Sequence, residues 1–268
     1  MGGLSLDGST VLLTGATGGI GRAIALALHG RGASLVLTGR KLELLQSLRD
    51  ELGDRAEVEA ADLADQGDVE RLARVAAEVD TLVANAALPA SGAIDDFTPQ
   101  EIDRAIDVNL RAPVQLARAA VPAMVERGRG HLVFVSSLSG KAASAGSALY
   151  SATKFGVRGF AAGLREDLHG TGVGVTTVFP GFVSGAGLFA DADVELPRGV
   201  GTRSPEQVAK AIVRGIEHDK AEIDVAPLLL RVGALASAVA PTTMAGLQRR
   251  LGSHDLSEAI ARGQADKR

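Results

Sequence analysis

Short apolar runs, several rich in β-branched residues, alternate along the chain with longer stretches whose apolar positions recur every three or four residues. The runs at 11–13, 34–38, 56–60, 80–84, 131–136, 173–179 and 221–225 predict seven strands. Between them, 22–28, 41–52, 66–78, 99–127, 149–169 and 205–218 predict helices, the last opened by Ser204-Pro205 as cap and first residue. Strands separated by helices rather than by tight turns predict an α/β chain with a doubly wound parallel sheet, covered by helices on both faces. No second core, linker or repeat interrupts the pattern, so a single domain is expected.

Two stretches depart from the alternation. Residues 182–203 carry glycines, prolines, Phe182, Leu188 and Phe189 without a period, which predicts a mobile covering segment. Residues 227–245 are nearly uncharged, with Arg231 the exception and Pro241 interrupting them. That stretch is too short and too broken for a transmembrane segment, which takes about 20 apolar residues. Three readings remain, ranked as a helix over a substrate cleft, a subunit contact, and a peripheral helix at a membrane surface. The polar tail from Ser253 is expected to fray.

Composition narrows the chemistry. With 33 glycines, seven phenylalanines, one tyrosine and no tryptophan, the core must rest on Ala, Leu, Val and Ile and admit close backbone approaches. A formal net charge of -4 supplies no broad positive field, which excludes a nucleic-acid partner. The absence of cysteine removes disulfides, thiolate nucleophiles, Cys-ligated zinc and iron–sulfur clusters, so redox chemistry would need a borrowed cofactor. His29, His131, His169, His218 and His254 show no metal-ligand spacing and are expected at the surface or at strand edges, with no metal site. No basic segment followed by an apolar run opens the chain, and Leu6 stands where a myristoylation signal needs Ser or Thr, so a cytoplasmic location is expected.

The first strand runs into Thr14-Gly15-Ala16-Thr17-Gly18-Gly19-Ile20-Gly21, with a helix after it. Glycines there allow close backbone approach, and the free N–H groups and dipole of the helix point at an anion, which suits a pyrophosphate. A compact strand–helix connection is the alternative. The second strand ends at Gly39-Arg40, where a dinucleotide site reads the adenosine ribose. A carboxylate there would select NAD(H). Gly39 instead leaves room and Arg40 offers a fixed charged fork for a 2′-phosphate, so NADP(H) is favoured over NAD(H). Arg40 could also simply open the next helix. Asp62 follows the third strand at the ligand-binding edge or caps the helix after it, and Asn109 interrupts an apolar helical stretch, where it must face water or meet a buried partner.

Ser136-Ser137 ends the fifth strand, and Tyr150 stands four positions before Lys154 on a predicted helix, one turn apart on one face. A phenol of pKa about 10 is a poor base near neutrality. At roughly 5 Å and an effective dielectric near 20, a lysine ammonium favours the phenolate by about 3 kcal/mol, so Lys154 is expected to depress the Tyr150 pKa.

Together these motifs resemble the short-chain dehydrogenase/reductase family over residues 7–226. Thr14 to Gly21 is similar to the family's Thr-Gly-x-x-x-Gly-x-Gly, and the thirteen residues from Ser137 to Tyr150, with the chain length, fit the shorter, non-extended branch. The resemblance implies a Rossmann domain over 1–226 that includes the catalytic residues, with 227–268 packed on it as an apolar helix and polar tail. It implies a catalytic group of Asn109, Ser137, Tyr150 and Lys154. Tyr150 would be the general acid/base, Ser137 would bind the substrate oxygen, Lys154 would bind the nicotinamide ribose, and Asn109 would hold a water. Gly15, Thr17, Gly18, Gly19, Ile20 and Gly21 would hold the pyrophosphate, Asp62 and Leu63 would flank the adenine, and Asn85 and Ala86 would run along the cofactor. Pro180, Gly181 and Val183 would meet the nicotinamide. Ala84-Asn85-Ala86-Ala87 departs from the family's Asn-Asn-Ala-Gly, and Gly185 stands where a threonine is common.

The expected activity is interconversion of a secondary alcohol and a ketone or aldehyde, on a small-molecule substrate held by an apolar pocket of Leu138, Ala142, Ala143, Leu149, Phe182, Leu188 and Phe189. Two alternatives stand beside it. One is a 3-oxoacyl-carrier-protein-type reductase with Arg127 and Arg129 as a docking patch for the acidic carrier. The other is a catalytically silent NADP-binding regulator. The family's habit implies a homodimer or homotetramer formed through helices 99–127 and 149–169.

Overall fold

The computed structural model describes residues 2–185, 201–250, 259–260 and 262–264. Seven strands form one parallel sheet in the order β3-β2-β1-β4-β5-β6-β7. They are β1 (Thr10–Thr14), β2 (Ser34–Gly39), β3 (Ala56–Ala60), β4 (Thr81–Ala84), β5 (Gly130–Val135), β6 (Val173–Pro180) and β7 (Glu222–Val225). The helices are α1 (Gly19–His29), α2 (Leu42–Leu52), α3 (Gln66–Glu78), α4 (Pro99–Ile106), α5 (Ala112–Glu126), α6 (Ala148–Asp167), α7 (Pro205–His218), α8 (Leu228–Val239) and α9 (Pro241–Arg250). The architecture is the doubly wound Rossmann arrangement.

Alternate residues of the strands feed two cores. Val11, Leu13, Leu35, Leu37, Val133 and Val178 pack with Ile24 and Leu28 of α1, Leu45 of α2 and Ile212 of α7. Leu12, Leu82, Leu132 and Phe134 face the other way, against Leu72 of α3, Leu116 and Met124 of α5, and Val157 of α6. Both faces of the sheet are thus sealed, and ligand access is left to its ends.

The single long helix expected over 99–127 is a correction: α4 and α5 are joined by a π-helical turn at Asp107–Arg111. Two residues explain it. Pro113 has no N–H to offer the Asn109 carbonyl four positions earlier. The buried Asn109 side chain grips the Leu88 backbone, its Oδ1 accepting from Leu88 N at 2.7 Å and its Nδ2 donating to Leu88 O at 3.0 Å. By contrast, α7 starts where expected: Ser204 and Gln207 form a reciprocal cap behind Pro205.

His131 also departs from expectation, because it is buried rather than at the surface. Thr176 Oγ1 donates to Lys220 O at 2.7 Å, so it must accept from His131 Nε2 at 2.8 Å, which fixes the neutral ring with its proton on Nε2. Burial pushes the His131 pKa down to about 4, with Asp219 opposing and Arg165 assisting. The unfolded chain then takes up this proton at a higher pH than the folded one, so stability falls as pH drops from about 6.5 to about 4, by up to about 3 kcal/mol. His131→Gln keeps a donor for Thr176 but does not titrate. The stability loss between pH 7 and 4.5, measured by urea denaturation, should be about 1–3 kcal/mol smaller in that variant; an identical loss would refute the assignment.

Candidate active site

The strand order reverses between β1 and β4, and a cleft of about 1160 Å³ opens there along the C-terminal ends of the strands. Its floor is tied together by Thr14. The Thr14 hydroxyl accepts from Asn85 N and Ala86 N, both at 3.0 Å, while Asn85 Nδ2 donates to Thr14 O at 3.0 Å and Gly15 O at 3.3 Å. The glycine turn packs tightly on its own backbone and on the loop at Asn85 and Ala86. Gly15 has φ +67°, and a Cβ on Gly21 would sit 2.0 Å from Gly15 O. Helix α1 begins at Gly19 with no acidic residue in its first turn, so its amino end faces the cleft uncompensated.

Gly15, Thr17, Gly18, Gly19, Ile20, Gly21, Arg40, Asp62, Leu63, Asn85, Ala86, Tyr150, Lys154, Pro180, Gly181 and Val183 all line this one cleft, and so does Ser137. Arg40 is exposed on its wall and makes no hydrogen bond or ion pair among the described residues. Asp62 is not a helix cap, since Asp65 caps α3 by accepting from Asp68 N. Its carboxylate instead accepts from Ala64 N at 3.0 Å and from Arg104 of α4 at 2.9 Å.

Of the four expected catalytic residues, Ser137, Tyr150 and Lys154 share the cleft wall and Asn109 lies behind it. Ser137 follows β5 by two residues and caps a short 3-10 turn, its Oγ accepting from Ser139 N at 3.1 Å. Tyr150 packs its ring against Ala90, Phe97, Ala105 and Leu149 while part of its surface remains open to the cleft. Both Asn109 side-chain polar atoms are engaged by Leu88, each with one further hydrogen-bonding position left.

The expected electrostatics are a second correction. Lys154 Nζ lies 5.7 Å from the Tyr150 ring centroid and donates to Val135 O at 3.0 Å. Burial pushes the Tyr150 pKa up to about 12, although a hydrogen bond with Ser137 pulls the other way, and burial pushes Lys154 down to about 8. Desolvation of both groups therefore outweighs their mutual attraction. At pH 7 the phenol is protonated and the lysine is still mostly charged.

The apolar pocket is partly as expected. Leu138, Ala142 and Phe182 line the cleft, whereas Leu149 is buried beneath it, Ala143 does not line it, and Leu188 and Phe189 lie outside the described residues, as does most of 182–203. Leu229, Leu230, Gly233 and Ala234 of α8 also line the cleft, in keeping with the first reading of 227–245. The outer face of α8 leaves Leu228, Val232, Leu235 and Val239 exposed. Ile260 and Gln264 also reach the cleft, and Gln264 is buried, so the described part of the tail is docked rather than frayed. Arg104 and these tail residues carried no sequence signal. Arg127 and Arg129 bind Val79 O and Asp80 near the N-terminal ends of β4 and β5, at the opposite edge of the sheet from the cleft, which removes them as a docking patch beside it. Among the described residues, no helix is long and apolar enough to cross a membrane.

Known proteins share this arrangement. The short chain dehydrogenase family model matches residues 9–193. A ketoacyl reductase of Nostoc sp. (strain PCC 7120 / SAG 25.82 / UTEX 2576), HetN, is 32% identical, over 96% of this chain and 94% of its own length. Among solved structures, a short-chain dehydrogenase from Sphingobium yanoikuyae in complex with NADPH superposes with a TM-score of 0.77 at 29% identity, covering 88% of this chain and 95% of that one. The closed form of a serine dehydrogenase complexed with NADP+ gives 0.74 at 33% identity, covering 82% and 95%. With this match over most of its length, and the glycine turn and Ser137, Tyr150 and Lys154 gathered in one cleft, the chain belongs to the short-chain dehydrogenase/reductase family of oxidoreductases acting on CH–OH groups.

Proposed function

We propose that the protein is an NADP(H)-dependent oxidoreductase that interconverts a secondary alcohol and a ketone or aldehyde, with Tyr150 as general acid/base. The observation that carries this reading is the shared cleft: Tyr150, Ser137 and Lys154 stand on the same wall system as the glycine turn and Arg40. The uncompensated amino end of α1 in the cleft fits a pyrophosphate, and Arg40 fits a 2′-phosphate. Asp62 and Leu63 would flank the adenine, Asn85 and Ala86 the middle of the cofactor, and Pro180, Gly181 and Val183 the nicotinamide. NADP(H) bound there supplies or takes up the hydride.

The chain's own residues handle orientation and the proton. Ser137 holds the substrate oxygen and Tyr150 exchanges a proton with it, while Lys154 binds the nicotinamide ribose and keeps a positive charge behind the phenol. Asn109 would hold a water that continues the proton path. A phenol held in its protonated form is the state that donates a proton to the carbonyl oxygen during reduction. Screening carbonyls by NADPH absorbance tests the activity; binding of NADPH with no turnover across a broad panel would leave only the silent regulator.

The 2′-phosphate reading has its own test. Arg40→Asp should reverse the NADP over NAD preference, shifting the ratio of dissociation constants by at least about tenfold. Unchanged NADP affinity in a titration would refute the contact.

The apolar rim from Leu138, Phe182, Leu229 and Leu230 supports a hydrophobic substrate. Likeness to a ketoacyl reductase across nearly the whole chain favours a 3-oxoacyl thioester as the second reading. Assembly as a homodimer or homotetramer belongs to the same proposal and is supported by the exposed Phe155 on α6.

A further inference from the structure

Arg104 stands outside every motif, yet it lines the cofactor cleft and crosses from α4 to Asp62, 42 residues earlier, with Nη2 2.9 Å from Oδ2. The pair is about one-third exposed on both sides, so it is neither sealed in the core nor freely solvated. Asp62 is held from several directions. Oδ1 accepts from Ala64 N, and its own amide donates to Asp68 Oδ2 at 2.7 Å. Asp68 is held in turn by Arg71, which also binds Glu59 and Ala60 O. The carboxylate cannot swing away from the cleft.

Burial pushes the Asp62 pKa up, but the Ala64 amide, the Arg104 guanidinium and the charge of Arg40 outweigh it and hold the carboxyl below its usual range. Asp62 is therefore a fixed anion within electrostatic reach of Arg40. An uncompensated anion at that place has two effects on a 2′-phosphate carrying most of two negative charges: it repels the phosphate and competes for the guanidinium that should receive it. Arg104 supplies the missing charge, and Arg40 is left without an ion pair among the described residues.

We infer that Arg104 is a specificity-determining residue: by neutralising Asp62 it keeps Arg40 available, and so sets the preference for a 2′-phosphorylated dinucleotide over the unphosphorylated one. This inference rests on the NADP(H) reading above. It assigns Arg104 no contact with the reacting atoms, and its effect should appear in binding rather than in the chemical step.

Calorimetric dissociation constants for NADP+ and NAD+ would be measured on the full chain in wild type, Arg104→Gln, Arg104→Lys and the double variant Arg104→Gln/Asp62→Asn. Arg104→Gln should weaken NADP+ about five- to tenfold and leave NAD+ within about twofold, with Arg104→Lys close to wild type. The double variant should recover most of the preference, because no carboxylate remains to be neutralised. Equal losses for both dinucleotides, or a double variant no better than Arg104→Gln, would overturn the inference and make Arg104 a structural residue. A wild type that does not prefer NADP+ would instead overturn the cofactor reading itself, so the two failures are distinct. If Arg104→Gln does not fold, Arg104→Lys against Asp62→Asn carries the same comparison: a preference that survives both substitutions supports charge neutralisation, and its loss in Arg104→Lys refutes it.

Discussion

Tyr150→Phe should reduce turnover by at least about a hundredfold while leaving the dissociation constant for NADP(H) within about twofold of wild type. The substitution removes one hydroxyl and little else. The ring keeps its packing against the cluster of Ala90, Phe97, Ala105 and Leu149, and among the described residues the polar partner the phenol loses is Ser137. Stability should therefore change by less than about 1 kcal/mol, which separates a chemical defect from a folding defect. Near-normal turnover would remove Tyr150 from its role. The pH profile supplies a second reading of the same site. With the phenol titrating at about 12 and Lys154 at about 8, carbonyl reduction should hold level below pH 7 and decline as pH rises through 8, following the lysine rather than the tyrosine.

Lys154→Met should make the protein more stable and nearly inactive. The lysine is buried at the base of the cleft, with Val135 O as the acceptor for its amine, and burial lowers its pKa from 10.5 to about 8. Between those values the unfolded chain binds more protons than the folded one, so the ionised lysine opposes folding below pH 8, and stability rises with pH from about 8 to 10.5. The full linkage is about 3 kcal/mol, and loss of the bond to Val135 O offsets part of it. A net gain of about 1–2 kcal/mol near pH 7 is expected, seen as a melting temperature raised by about 2–8 °C. The gap between variant and wild type should close as pH is raised to 10.5. A variant that melts lower than wild type at pH 7 would show that the contact with Val135 outweighs the desolvation of the ammonium. A destabilising charge retained in the wall of a cleft is what a functional role predicts.

These two residues also mark how far the chain could be read before its structure. That Tyr150 and Lys154 share one helical face followed from their spacing, because a period of 3.6 residues is local geometry. Their pKa values did not follow, since the dominant influence is burial, which for Tyr150 involves residues as distant in sequence as Ala90, Phe97 and Ala105, and the amine's partner is a carbonyl of β5. The strands were recognisable for the same reason as the helical face: apolar runs sealed on both sides of a parallel sheet announce themselves. The turn between α4 and α5 was hidden, because it needs Leu88 from another loop as well as Pro113. Arg104 was hidden too. A solvated arginine and one that neutralises a distant carboxylate look identical until Asp62 is brought beside it.

The position of β1 bears on how the polypeptide is made. It is the first of this sheet's strands in the chain and, flanked by both β2 and β4, the one that joins the two halves of the sheet. Translation through Ala84 completes the partners of β1 and with them the phosphate-binding half, well before Ser137, Tyr150 and Lys154 have been translated. Until β5 arrives, β4 is an open apolar edge, and a nascent chain paused there depends on chaperones or on speed to avoid pairing with its neighbours.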